Sequence, residues 1–372
     1  MRNSGSQIFV VINALRLHEG ATRHTGGNFF HVRNLLIELL PLLKEHSLGC
    51  RVLLDQDGAR DLGDIVDPLE RIVINDTGVW AQERAIHRAI SECRPSVYYR
   101  PTGQLPMRKL PCLEVMGVAD LNFKTLSMPW RKKAYKELSY WLSLRRANHV
   151  ICISDFTRKE VLSHYKIAPE RVSTVHHGAS DFSRLATDEV AIPFSDFWMT
   201  FGHQAHKNVE TILRVMAKDE KGRHRLVVVG KHDHIETVLK PLAAELQVSA
   251  RVHFCGRLSD PQLAWMYRHA CGLLFVSLFE GFGLPVLEAM SVGCPVIASD
   301  VCSIPEIASR GAILVDPLSV DELRAAMDRV ISDDEIRMKL VSDGRQNAAL
   351  FTWKRSASET LRILTAVAAQ QR

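Results

Sequence analysis

The sequence predicts an α/β protein made of two doubly wound parallel sheets. Short apolar runs alternate with amphipathic segments along the whole chain, the pattern of strands buried on both faces under crossover helices. At 372 residues the chain is long enough for roughly two domains of the usual ~100–200 residues each. A composition of 46% hydrophobic and 24% charged residues belongs to a globular enzyme, not to a disordered or fibrous chain.

In the first half, strands are expected at 8–13, 51–54, 71–74, 96–99, 113–118, 148–153 and 172–175, with helical patterns at 28–45, 82–92 and 130–146 among them. In the second half, strands are expected at 198–201, 225–229, 252–254, 272–276, 295–298 and 312–315, with helices near 208–218, 234–246, 260–269 and 319–331. The stretch GASDFSRLATDEVAIPFSD (178–196) has turn residues and no period, and is read as a linker. The expected domains are therefore residues 1–183 and 193–350, with a C-terminal helix at 354–372 packing back on the first.

Net charge is +5, a mild bias toward anionic ligands or a membrane surface that does not call for nucleic acid. The eight cysteines form no C-x-x-C pair, and several lie in apolar runs, as expected of free thiols in a reducing compartment. The opening MRNSGSQIFVVINAL has no signal-peptide pattern, and LLIELLPLL (35–43) is too short to span a bilayer. A cytoplasmic protein is expected.

The segment FEGFGLPVLEAMSVGCPVIAS (279–299) carries the most chemistry. Gly281 and Gly283 give a backbone without side chains, Pro285 suits the first turn of a helix, and Gly293 suits its end. The loop amides and the positive helix end form an anion site, flanked by Glu280 and Glu288. A carboxylate does not bind phosphate. The pattern fits a ligand anionic in the middle and rich in hydroxyls at both ends, as a nucleotide sugar is. Lys207, in FGHQAHKN at the end of an expected strand, suits a diphosphate, and Asn208 is expected to cap the helix that follows. Near the N-terminus, Gly26-Gly27 precede a helix in the same way.

The order of these pieces resembles the family 4 glycosyltransferases, a retaining group with the two-domain GT-B architecture. The resemblance is carried by RVHFCGRLSDPQLAWMYRHACGLLFVSLFEGFGLPVLEAMSVGCPVIASDVCSIPEI with GAILVDP after it, by RRANHVICISDFTRKEVLSHYKIAPERVSTVHHGAS upstream, and by FGHQAHKN. It implies two Rossmann-like domains facing a central cleft, the first binding acceptor and the second binding the nucleotide sugar. It further implies that Glu280 contacts the donor sugar, Glu288 holds the ribose, and Lys207 neutralises the diphosphate. Backbone around Phe282, Gly283 and Leu284 would face the sugar and distal phosphate, with Gly202 and His206 in the phosphate loop and Gly26 and Gly27 also near the donor. The resemblance also implies that neither metal nor another cofactor is required. The implied acceptor is a glycan or lipid-linked oligosaccharide in polysaccharide or lipopolysaccharide assembly, and the transferred sugar is mannose, glucose, rhamnose or fucose.

Two positions depart from the pattern. His206 stands where the family usually has arginine. VMGVADLNF has Ala119-Asp120 where the family's strand ends in His-Asp, so Asp120 is carried over as a catalytic candidate without its histidine. That loss keeps a non-catalytic nucleotide-sugar binding protein as the rival reading. A metal-dependent GT-A transferase is a third reading, since Asp55-Gln56-Asp57 has that group's metal-site spacing, although the Asp-Gly that ends it reads as a turn. The pairs His203/His206 and His232/His234 lack a zinc-site pattern and read as loop residues. In PWRKKAYKELSYWLSLRRANH (129–149), apolar residues at helical spacing are expected to face the core beneath a solvated basic face. The functional alternative is a basic patch for peripheral contact with the inner face of a membrane.

Overall fold

The computed structural model describes residues 8–15, 27–76, 78–180, 182–219 and 221–370. The chain divides into two compact units, Met1–Gly178 with Thr352–Arg372, and Ala179–Phe351.

The first unit holds a seven-stranded sheet: β1 (Phe9–Asn13), β2 (Gly49–Leu54), β3 (Arg71–Val73), β4 (Val97–Arg100), β5 (Leu113–Val118), β6 (His149–Cys152) and β7 (Val172–Thr174). Its order is β3-β2-β1-β4-β5-β6-β7, and every pairing is parallel. The strand order reverses between β1 and β4, where ligands of such sheets bind beyond the carboxyl ends. Side chains alternate between two buried layers, as a period of two requires. Val11, Tyr98 and Met116 enter one layer; Val10, Ile12, Val97, Tyr99 and Val115 enter the other. The second layer is closed by the helix Gly27–Glu45 and by the helix Trp353–Ala369, which contributes Ala357, Leu361, Leu364 and Val367.

The second unit holds β8 (Trp198–Phe201), β9 (Leu226–Val229), β10 (Val252–Gly256), β11 (Gly272–Phe275), β12 (Val296–Ser299) and β13 (Ala312–Val315). The order is β10-β9-β8-β11-β12-β13, again wholly parallel among named strands. β8, β9, β11 and β12 are buried along their whole length, which is why each reads as a continuous apolar run.

The structure refines two local expectations and adds one helix. The helix expected at 234–246 is a π-helical turn, Ile235–Leu239, running into Lys240–Glu245. Pro241 has no N–H to give a regular ladder, and the wider turn accommodates it. The stretch 178–196 is not a free connection. Arg268 donates to the carbonyls of Phe182, Ser183 and Leu185, and the Asp188 amide donates to Pro261 O, so this segment lies along the helix Asp260–His269. A long helix unread in the sequence, Asp334–Ala348, starts at Asp333, whose carboxylate accepts the Ile336 amide at 3.0 Å.

Candidate functional site

The site is assembled at the carboxyl ends of β8, β11 and β13. β8 runs out at Phe201, and the Gly202 amide continues the ladder to Val229 O at 2.9 Å. A Cβ on Gly202 would sit 2.4 Å from Val228 Cγ1, so a side chain there would push the turn off the sheet. A single 3₁₀ turn, Ala205–Lys207, then swings Lys207 back over the sheet. Asn208 follows in the left-handed region, φ 57°, a conformation asparagine tolerates better than most residues.

Asn208 stands at the N-cap position of the helix Val209–Lys218, but its side chain does not cap. Its Nδ2 donates instead to Val276 O at 3.1 Å and Pro317 O at 2.7 Å, and its Oδ1 accepts the Thr211 hydroxyl at 2.9 Å. One buried amide thus ties together the loops after three strands.

The second half of the site is the loop from β11 to the helix Leu284–Val292. The Leu278 amide donates to His206 O at 2.8 Å, joining this loop to the Lys207 turn. The Ser303 hydroxyl lies 2.9 Å from Glu280 O and 2.8 Å from Phe282 O, and Phe279 and Phe282 are buried beneath. Gly283 has φ 114°, and a Cβ there would meet Ile304 Cδ1 at 2.7 Å. Only glycine fits both constraints. Among the described residues no side chain caps the helix start, which leaves its first turn with the partial positive charge of a helix N-terminus.

Within this frame Lys207 Nζ lies 2.6 Å from Glu280 Oε1 and 4.8 Å from the centre of the Phe275 ring. The two side chains are 9% and 14% exposed. His203 is held down to about 4 by burial and then by the Lys207 charge, and His206 is lowered for the same two reasons. Both imidazoles are neutral near pH 7. The cation of this turn is therefore Lys207, and His206 adds no charge to it.

Glu288 is partly buried in the helix Leu284–Val292, and the Tyr267 hydroxyl donates to its Oε2 at 3.1 Å. Burial raises its carboxyl to about 7, against the opposing pull of the Tyr267 bond. Sequence reasoning missed Tyr267, which sits in the helix Asp260–His269, and Ser303, which pins the glycine loop. Nothing in the spacing of either residue singles it out.

The remaining candidates lie in the first unit. Asp120 follows β5, and its Oδ1 accepts the Asn122 amide at 2.8 Å, closing a side-chain turn. The Ala119 carbonyl accepts the Thr157 hydroxyl at 3.3 Å. Gly27 opens the helix Gly27–Glu45, and Gly26 lies outside the described residues. Asp55 accepts the Gly58 amide at 2.6 Å as the N-cap of a short helix, Gln56–Asp61, while Asp57 pairs with Arg60 at 3.2 Å. The expected turn is thus a helical one, and both carboxylates serve it. In the second unit, His234 is paired with Glu210 at 2.9 Å.

The helix Trp130–Arg146 overturns the expected orientation. Its buried residues are Ser139, Tyr140, Ser143 and Leu144. The apolar set at helical spacing faces outward instead: Trp130 is 74% exposed, Tyr135 and Leu138 each 54%, and Trp141 43%. Small serines let the helix sit close to the core, which leaves the larger side chains on the other face. Arg146 also turns inward, to Glu114 at 3.1 Å and to the carbonyls of Pro106 and Met107.

Comparison with known proteins agrees with this architecture. The family model described as glycosyl transferases group 1 matches residues 202–347, and that of glycosyltransferase family 4 matches residues 117–181. The O-antigen chain mannosyltransferase B of Escherichia coli is 27% identical over 289 residues, covering 73% of this chain and 75% of that protein. The O-antigen chain mannosyltransferase RfbU of Salmonella typhimurium is 26% identical over 248 residues, covering 61% of this chain and 68% of that protein. Among solved structures, Anabaena HepE in complex with UDP and glucose superposes with a TM-score of 0.70 at 17% identity, over 96% of this chain and all of that one. The two family matches together span more than half of the chain, and it belongs to the group 1, family 4 glycosyltransferases of the GT-B fold.

Proposed function

We propose that the protein is a retaining, metal-independent glycosyltransferase that moves mannose from a nucleotide sugar to a glycan or lipid-linked acceptor in polysaccharide assembly. The observation that carries this reading is the buried Lys207–Glu280 pair, set beside the uncapped helix start behind Gly283. Together they offer a cation and backbone amides for a diphosphate, and a carboxylate for sugar hydroxyls. Lys207 stabilises the charge that develops on the leaving diphosphate, Glu280 orients the sugar, and Glu288 accepts from the ribose hydroxyls. Asp120 is proposed to act in the reaction without the histidine that Ala119 replaces.

The mannose assignment draws on two relatives named as mannosyltransferases. Ala119 favours a competing sugar. A methyl group in place of an imidazole removes a partner for a 6-hydroxyl and would sit well against the methyl of rhamnose or fucose. Competition between nucleoside-diphosphate mannose and its 6-deoxy counterparts, read as kcat/KM, separates the two. The anomeric configuration of the product by NMR tests retention, and activity surviving exhaustive chelation tests metal independence. Donor binding with no nucleotide release at any acceptor would replace the enzyme with a binding protein.

We also propose that the helix Trp130–Arg146 rests on an anionic lipid surface. Support comes from its exposed Trp130, Tyr135, Leu138 and Trp141 beside Arg131, Lys132 and Arg145, with the Arg145 guanidinium 4.7 Å from the Trp141 ring centre. Aromatic rings at headgroup level with cations around them are the composition of an interfacial helix. Sedimentation with phosphatidylglycerol vesicles should capture the protein and lose it when Trp130 and Trp141 are both changed to alanine. Equal capture of that variant refutes the contact.

A further inference from the structure

We infer that Glu280 is an internal counterion to Lys207, so that the site favours an intact nucleotide sugar over the nucleoside diphosphate it leaves behind. This rests on the donor-site reading above and adds an order of preference to it. The pair is held from both sides: the Lys207 turn through Leu278 N to His206 O, and the Glu280 backbone through Ser303. The carboxylate thus meets the ammonium at 2.6 Å from a pinned loop, not from a floppy chain. His203 and His206 are neutral near pH 7 and offer Glu280 no second cation.

An anion that takes Lys207 alone leaves Glu280 partly desolvated and beside a second negative charge. Both effects oppose binding, because a poorly hydrated charge that loses its partner is costly. A nucleotide sugar brings hydroxyl donors along with its phosphates. As the diphosphate takes over Lys207, the sugar hydroxyls donate to Glu280, and neither charge is orphaned. Once the sugar has left, the nucleoside diphosphate faces an uncompensated carboxylate. The same pair that admits the donor then weakens the hold on the product.

Calorimetric titration of the full chain with GDP, GDP-mannose, UDP and UDP-glucose tests this. The wild-type protein should bind the nucleotide sugar of its preferred base more tightly than the matching diphosphate. Glu280→Gln should tighten the diphosphate at least ~10-fold and the nucleotide sugar much less, in line with removing a buried, unpaired charge. Glu280→Asp keeps the charge and should keep the wild-type order. In a Lys207→Gln background, Glu280→Gln should lose most of its effect on the diphosphate. An unchanged preference in Glu280→Gln overturns the inference. An equal gain with or without Lys207 also overturns it, since that reports plain repulsion. A wild-type chain that binds none of the four ligands brings down the donor-site reading itself.

Discussion

The two ends of the segment 280–288 hold the same functional group in opposite conditions. Glu280, in the loop, is met by an ammonium group at 2.6 Å. Glu288, eight residues further and inside a helix, takes the Tyr267 hydroxyl, and burial, with the Asp260 charge adding to it, raises its carboxyl to about 7. Glu280 has a cationic partner at hand, whereas burial and the Asp260 charge both favour the protonated form of Glu288. Under the proposed function the difference would divide the tasks, with Glu280 taking sugar hydroxyls beside Lys207 and Glu288 taking those of the ribose.

The largest expected effect falls on the charged end. Lys207→Ala should lower kcat at least ~100-fold, the range for a group that stabilises charge developing in the transition state. Steady-state rates at saturating donor read it, and near-normal turnover would reduce Lys207 to a structural cation. At the neutral end, Glu288→Ala should weaken the nucleoside diphosphate ~10- to 100-fold by removing hydrogen bonds to a charged group, with a smaller loss in kcat. If Lys207→Ala and Glu288→Ala proved alike in both quantities, the division of labour would not stand.

The comparison also predicts a pH response with a definite sign. Glu288 is raised in the folded protein, so its contribution to stability is full below the ordinary carboxylate range and fades as pH rises through about 7. The melting temperature of the empty protein should fall across that interval. Diphosphate affinity should rise over the same interval, because ribose hydroxyls need the ionised acceptor. Glu288→Gln should flatten both curves, and a wild-type affinity that fell with rising pH would contradict the assignment. The smallest effect is expected from Tyr267→Phe. Losing a donor to the ionised form should move the affinity midpoint upward by less than ~1 pH unit.

The strands were legible because burial on both faces leaves a continuous apolar run, as in LVVV of β9 and VYYR of β4. The glycine loop was legible because Gly283, Pro285 and Gly293 each answer a backbone requirement. The Lys207–Glu280 contact was not, since it joins residues 73 positions apart whose meeting depends on β8 and β11 lying side by side. The helix Trp130–Arg146 shows a different limit. Its period revealed two faces, but periodicity alone does not say that Ser139 and Ser143 rather than Trp130 and Trp141 meet the core. Close approach favoured the small side chains there.

The helix Trp353–Ala369 also bears on the order in which the protein can fold. It supplies part of one apolar layer of the first unit, whereas Ala179–Phe351 is continuous in sequence. On a ribosome adding ~5–20 residues per second, the first unit would wait roughly 10–40 s after residue 178 for that missing wall. Assembly would then run against the direction of synthesis, with the second unit able to reach its native state while the first still exposes Val10, Leu35 and Tyr99. Limited proteolysis of chains arrested before residue 353 should spare 179–351 and cut within 1–178; protection of both segments would refute this order. Until that helix emerges, the first unit keeps one apolar layer open to water.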